Sequence, residues 1–293
     1  MVRFLEALRK RSGFANELLR NRKILAGIVI FLGMSLISVA GSYLAPYNPM
    51  RLGTFPPEMP PSFPAHILGT DSIGRDLLFL LFISILNSLQ IGLAVAGFGT
   101  IFGLLVGLIS AYSGGFTDSA LSTVTDIALV VPMLPVLILV SSMIRVVEIS
   151  TMILILIIFS WAWTSRTIRA QTLSLKERDF VYMAKLSGMG RFEIVFREIT
   201  PNMISYVGVN FFGTCFWAIT AEAGLSFLGL GPQTTTTLGN MLYWAQNYSS
   251  IYKGLWWAWA TPIVAISVIL VALYLVNIGL DEVANPKLAR QRL

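Results

Sequence analysis

Hydrophobic positions in this chain fall in long unbroken runs rather than in alternating patterns. Residues 24–45 contain no charged side chain over 22 positions, enough to cross a hydrocarbon layer of about 30 Å as a helix. Comparable runs occupy 89–111, 127–147, 151–163, 204–221 and 255–280. The pattern predicts an all-α membrane protein with six transmembrane helices. The first run is longer than the apolar core of a cleaved secretory signal, so it is expected to be a retained span.

Polar and glycine or proline positions subdivide this pattern. Residues 46–65, "PYNPMRLGTFPPEMPPSFPA", hold seven prolines. Proline neither donates to a ladder nor continues a helix, so an extended external connector is expected there. It sets one peripheral N-terminal helix apart from a core of five. The organisation expected is a basic N-terminus at 1–23, a first helix at 24–45, a connector at 46–75, a core at 76–285 and a tail at 286–293. Residues 77–110 are too long for one perpendicular span, and Asn87, Ser88 and Gln90 divide them. The expectation is a surface helix over 76–85 followed by the span.

Within that span Gly99, Gly103 and Gly107 recur every fourth residue and form a smooth stripe that admits another helix backbone. Packing inside the chain and a subunit interface are both open for it. Asp126 stands just inside the third span, within about a turn and a half of its end, with Pro132 and Pro135 beyond it. The prolines predict a kink. A basic structural partner and a proton relay are the two readings of the carboxylate.

Only 12% of residues are charged and the net charge is +6; the distribution of the basic residues says more than the total. Arg3, Arg9, Lys10, Arg11, Arg20, Arg22 and Lys23 precede the first span. Arg166, Arg169, Lys176, Arg178, Lys185, Arg191 and Arg197 lie between the fourth and fifth, and Lys287, Arg290 and Arg292 follow the sixth. Six spans put these three groups on one side, against Arg51, Arg75, Arg145 and Lys253 on the other. The positive-inside rule therefore predicts cytoplasmic termini in a multi-pass cell membrane protein, with lipids rather than nucleic acid as the surroundings. Trp244, Trp256, Trp257 and Trp259 gather near the expected outer interface, where indole rings favour the headgroup region.

Catalytic chemistry finds no support. His66 is the single histidine and Cys215 the single cysteine, so no histidine metal site and no intrachain disulfide can form. No lysine precedes Ser or Thr, which removes the P-loop. No enzyme, no cofactor and no metal site is expected in this chain. His66, beside "GTD", could cap the helix beginning near 71–76 or contact a substrate.

The segment 175–202, "LKERDFVYMAKLSGMGRFEIVFREITPN", is unusually polar for this chain. Phe180, Met183, Ala184 and Ser187 share a helical face, and so do Phe192, Val195, Phe196 and Ile199. Gly188 and Gly190 interrupt between them, and Pro201 ends the second piece. Two short amphipathic helices on the cytoplasmic side are predicted. They could lie on headgroups, tie the spans together, or dock in a partner's groove.

The same residues resemble the cytoplasmic loop of binding-protein-dependent ABC importer permeases, which reads Glu-Ala-Ala, three residues, Gly, nine residues and a His-Ile-Leu-Pro-like ending. Ala184, Gly188, Ile199 and Pro201 fit that pattern. Tyr182 and Met183 replace Glu-Ala, Glu198 the histidine and Thr200 the leucine. "HILGTDSIGRD" (66–76), "YSGGFTD" (112–118), "SLKERDFV" (174–181), "AEAGLSFLGLG" (221–231), "GNML" (239–242) and a looser "GLDEVANPK" (279–287) follow in order. They are similar to the second permease subunit of dipeptide, oligopeptide and nickel importers.

The resemblance implies a MetI-like five-helix core and half of a translocation pathway. It implies as partners a second homologous permease, two cytoplasmic ATPase subunits that bind ATP and Mg, and an external substrate-binding protein. It also implies a coupling loop over 170–202, carried by Asp179, Phe180, Tyr182, Met183, Ala184, Lys185, Ser187, Gly188, Arg191 and Pro201. Glu222, Ser226, Phe227, Gly229 and Gly231 are external gate or loop candidates. Peptides, oligosaccharides and nickel chelates are the cargo classes implied. The rival expectation is a stand-alone channel or proton-coupled carrier.

Overall fold

The structure, a computed structural model, describes residues 20–284 and Leu18. Arg3, Arg9, Lys10, Arg11, Lys287, Arg290 and Arg292 lie outside the described residues. Among the described residues there is no strand, only two isolated bridges, Ser62 with His66 and Thr70 with Asp76.

The principal helices are α1 (Arg22–Tyr43), α2 (Leu77–Ser113), α3 (Gly115–Val130), α4 (Met133–Ser142) and α5 (Ile149–Lys176). There follow α6 (Asp179–Leu186), α7 (Arg191–Ile194), α8 (Thr200–Asn202), α9 (Ile204–Leu225), α10 (Leu238–Asn247) and α11 (Trp256–Ala284). Five of them, α1, α2, α5, α9 (with the π-helical turn after it) and α11, are long and apolar enough to span a membrane. The pair α3 and α4, bent by 77° around Val131 and Pro132, makes the sixth when counted as one broken span. The bend falls where proline withholds a donor and excludes the preceding residue from the α region.

The expected division of 77–110 is overturned. α2 is one helix of 37 residues, about 56 Å at 1.5 Å per residue, so it projects well beyond a hydrocarbon layer. Asp76 caps its start, accepting from the Leu78 and Phe79 amides at 2.9 and 3.4 Å. Asn87 and Ser88 do not break it because their side chains bond outward to 235–238.

α1 is peripheral, burying only Ile24, Gly27, Ser38 and Gly41. Asn21 caps it and reaches the Gly279 carbonyl, while Lys23 pairs with Glu282. These contacts place the start of α1 and the end of α11 at one end of the bundle, which is also the end of the 177–203 loop. α2 and α5 pack along one another, and the glycine stripe lies between them. A Cβ on Gly99 would meet Ser160 Oγ at 2.2 Å, one on Gly103 the Trp161 carbonyl at 2.6 Å, and one on Gly107 the Ser165 carbonyl at 2.7 Å. The stripe therefore serves packing within the chain.

The connector is not simply extended. Residues 46–75 fold back through turns onto α10 and α11. The Thr70 hydroxyl donates to the Pro56 carbonyl at 2.9 Å and accepts from the Met59 amide, and Trp257 Nε1 donates to the Thr70 carbonyl at 3.1 Å. Thr70 thus satisfies polar groups that a proline-rich chain cannot pair by itself. His66 Nδ1 lies 2.7 Å from Asp76 Oδ2, next to the α2 cap. The Tyr47 hydroxyl, desolvated and close to Asp76, is pushed well above its ordinary pKa.

Candidate functional site: the loop between α5 and α9 and the Glu222 node

The loop hangs from an apolar anchor. Val181 and Ala184 of α6, Ile194 of α7, and Val195, Ile199 and Met203 beyond it are buried against Leu108 and Ile168, with Tyr112 and Leu175 packed alongside. The Lys176 ammonium donates to the Ala111 carbonyl at 3.3 Å and lies over the Tyr112 ring, which closes the loop onto the end of α2.

α6 ends in a Schellman cap. The Gly188 amide donates to the Lys185 carbonyl at 3.0 Å and the Met189 amide to the Ala184 carbonyl at 3.2 Å. Gly188 has φ +77°, the left-handed conformation that this cap requires. Nothing lies within 4 Å of where its Cβ would be, so glycine stands there for its backbone rather than for space.

The sequence-predicted faces need correction. Val181, not Met183, is buried with Ala184; Met183 is 62% and Tyr182 65% exposed. In the second piece Val195 and Ile199 point inward, whereas Phe192 and Phe196 point out. Phe192 already faces out in α7, opposite buried Ile194, and a π-helical turn over Val195–Ile199 widens the helix beyond it. Asp179, Lys185, Ser187, Gly188, Arg191 and Pro201 are exposed, and Phe180 is half-buried against the anchor. The outward surface therefore combines Tyr182, Met183, Leu186, Phe192 and Phe196 with Lys185, Arg191 and Arg197. An apolar patch with a charged rim is the composition of a protein-docking surface.

At the other end of the bundle, Glu222 closes α9. It is completely buried. Ser226 and Thr237 each donate to its Oε1 at 2.6 Å, and Ser88 donates to its Oε2 at 3.2 Å. The Leu238 amide donates in turn to Ser88 at 3.1 Å. One carboxylate thus joins α2, α9 and the start of α10.

A π-helical turn, Ser226–Leu230, leads away from this node; Gly229 is at φ +83° and Gly231 sits against Ser226 and Asn240. Phe227 is exposed at the rim. Ser88 and Thr237 belong to the node although sequence reasoning did not name them as site residues. Their signals were visible, since both lie in polar interruptions of the pattern, 87–90 and 234–237.

Asp118 and Arg169 join α3 to α5 through Nε and Nη2 at 2.7 and 2.8 Å, with Ser110 also donating to Asp118. Asp126 begins three turns into α3, deeper than the sequence suggested, because α3 starts at Gly115. Its neighbour is Arg166 at 3.9 Å, a basic partner of the kind anticipated. Among the described residues no group of three metal-ligating side chains occurs.

Comparison with known proteins assigns the architecture. Residues 99–290 match the family described as binding-protein-dependent transport system inner membrane component. The chain is 33% identical to the oligopeptide transport system permease protein OppC of Lactococcus lactis subsp. cremoris, over 89% of this chain and 88% of that protein. It is 30% identical to the dipeptide transport system permease protein DppC of Bacillus subtilis, over 94% and 85%. The OppC protein of Mycobacterium tuberculosis is 31% identical over 94% of both chains. A chain of the inward-facing MetNI methionine ABC transporter superposes with a TM-score of 0.57 at 17% identity, covering 72% of this chain and 97% of that one. The chain belongs to the binding-protein-dependent transport system inner membrane components and is an ABC importer permease with the MetI-like fold.

Proposed function

We propose that this permease is one of two homologous subunits that form a path for short peptides, and that it receives its driving force through the 177–203 loop. The loop's division of labour carries the reading: Val181 and Ala184 anchor α6 in the bundle while Tyr182, Met183 and Leu186 stand free. An apolar face held on a rigid base can transmit a push from a partner to α2, α5 and α9. ATP and Mg belong to two ATPase subunits docked on that face, with the loop and both termini in the cytoplasm. An external binding protein delivers the peptide.

Peptides are preferred over oligosaccharides or nickel chelates because the relatives named above are oligopeptide and dipeptide permeases. Two measurements test the reading. Affinity purification should recover a second permease and two ATPases in stoichiometric amount. Reconstituted vesicles supplied with the binding protein should take up alanine peptides when ATP is present. A chain that purifies alone, or uptake driven by a proton gradient without ATP, would favour the stand-alone carrier instead.

A further inference from the structure

Arg75 is a buried cation with most of its donors unused. It is 5% exposed, yet of the five N–H donors of a guanidinium only Nε has an acceptor among the described residues, Asp71 Oδ2 at 2.7 Å. Asp71 is committed to the same turn, since its Oδ1 accepts from the Ile73 and Arg75 amides at 3.0 and 2.8 Å. The carboxylate thus fixes the guanidinium in place and leaves the Nη hydrogens over. The guanidinium lies over the Trp244 ring, 5.9 Å from its centroid, and Tyr248 stacks on that indole at 5.7 Å.

Arg75, Trp244 and Tyr248 line a small cleft with Ser250, Leu77 and Leu80. Ser250 is 1% exposed, and its hydroxyl makes no hydrogen bond among the described residues. The cleft is therefore rich in donors and short of acceptors. Buried donors left without a protein partner are met by water or by a ligand. There is room for little more than one oxygen, so the tip of a planar carboxylate enters where a tetrahedral phosphate or sulfate does not. Leu77 and Leu80 stand at the start of α2, and the 37 residues of that helix separate the cleft from the 177–203 loop. In the topology proposed above this is the external end.

We infer that this cleft is a carboxylate-binding site, in which the ligand accepts from the Nη groups of Arg75 and from the Ser250 hydroxyl between the walls of Trp244 and Tyr248. Arg75 then bridges two carboxylates, Asp71 on Nε and the ligand on Nη, through charge-assisted hydrogen bonds. Asp71 is the positioning residue that holds the guanidinium ready. Two sources present a carboxylate at this end: an acidic side chain of the binding protein and the free terminus of a peptide. The site stands on its own geometry, and only the choice of source rests on the peptide-permease reading above.

The test uses the assembled transporter in nanodiscs. Isotopically labelled formate, the smallest carboxylate, is the probe, and its NMR linewidth reports binding. Arg75→Gln should weaken formate binding about ten-fold, the loss of one charge-assisted hydrogen bond. Ser250→Ala leaves the Arg75–Asp71 pair intact and should weaken it about three-fold, which keeps the test open where Arg75→Gln fails to assemble. Sodium chloride at equal concentration should not displace the probe. Two further arms name the source. With a binding-protein side chain, Arg75→Gln loosens the attachment of the binding protein about ten-fold, and formate competes with it. With a peptide terminus, Arg75→Gln raises the KM for alanine peptides about ten-fold and leaves that for their C-terminal amides unchanged.

Formate that binds the wild type and both variants alike, or that chloride displaces, means that the cleft holds only water or a simple halide and overturns the inference. So does formate binding through Arg75 with neither source arm responding, because the site then serves no carboxylate. In both cases wild-type uptake of alanine peptides leaves the permease reading standing. A wild type that binds formate through Arg75 and holds its binding protein by it, yet takes up no alanine peptide with ATP, overturns the peptide reading alone.

Discussion

Thr237 donates its hydroxyl to Glu222 at 2.6 Å across 15 positions of sequence, and this bond fastens the start of α10 to the end of α9. Ser226 and Ser88 share the same acceptor. A buried carboxylate with three hydroxyl donors is fully engaged, and removing it strands donors that have no water to turn to.

Glu222→Ala is therefore expected to destabilise the assembled transporter by about 3 kcal/mol, the scale of breaking a buried polar network. Glu222→Gln keeps one acceptor oxygen and the side-chain volume, and should cost less than half as much. Thermal unfolding of the purified complex, followed by tryptophan fluorescence, separates the two. Equal Tm values for Ala and Gln would show that the hydrogen bonds carry nothing.

Gly188 separates conformation from contact. A β-branched residue at φ +77° is strained by about 1–2 kcal/mol, whereas asparagine tolerates that region. Gly188→Val should uncouple ATP hydrolysis from peptide uptake while membrane levels stay unchanged. Gly188→Asn should retain most of the uptake. Indistinguishable behaviour of the two variants would deny the cap its role.

The glycine stripe makes a paired prediction. A Cβ on Gly103 would lie 2.6 Å from the Trp161 carbonyl, whereas nothing lies within 4 Å of one on Gly97. Gly103→Ala should cost about 1–3 kcal/mol by overpacking α2 against α5. Gly97→Ala should be neutral or stabilise by up to about 1 kcal/mol through helix propensity. Denaturation in detergent should rank the two in opposite directions from wild type.

Glu58 and Lys253 tie the connector to the turn before α11. The hydrogen bond from Lys253 holds the Glu58 carboxyl below its ordinary pKa. A lowered folded-state pKa contributes stability that is present above the unfolded value and is lost as pH falls through the folded one. Amide exchange at Glu58 and Met59 and in residues 249–254 should therefore be unchanged near neutrality and rise below about pH 4. Lys253→Ala should raise it already at pH 7. Exchange that ignores both acid and Lys253→Ala would show the pair to be inert.

Much of this architecture could be read along the chain, because lipid imposes a rule that needs no tertiary knowledge: a span must be apolar for about twenty residues. The six runs, the kink at Pro132 and the ordered family segments are all linear properties. Register was not legible. Phe192, Val195, Phe196 and Ile199 were expected to share one face on 3.6 periodicity, yet Val195 and Ile199 are buried while Phe192 and Phe196 are exposed. Asn87 and Ser88 were expected to break a helix, yet α2 runs through them because distant residues accept and supply their hydrogen bonds.

By itself, then, the sequence determined that the chain is a multi-span helical membrane protein with a glycine-centred loop, since hydropathy and local backbone preference act between neighbours in the chain. Tertiary structure alone decided which polar residues meet: Ser88 with Glu222 over 134 positions, Arg169 with Asp118 over 51, and Arg166 beside Asp126 at the surface. Those meetings depend on how helices cross and rotate, and a polar side chain in an apolar run looks the same from the sequence whether it ends buried or facing water.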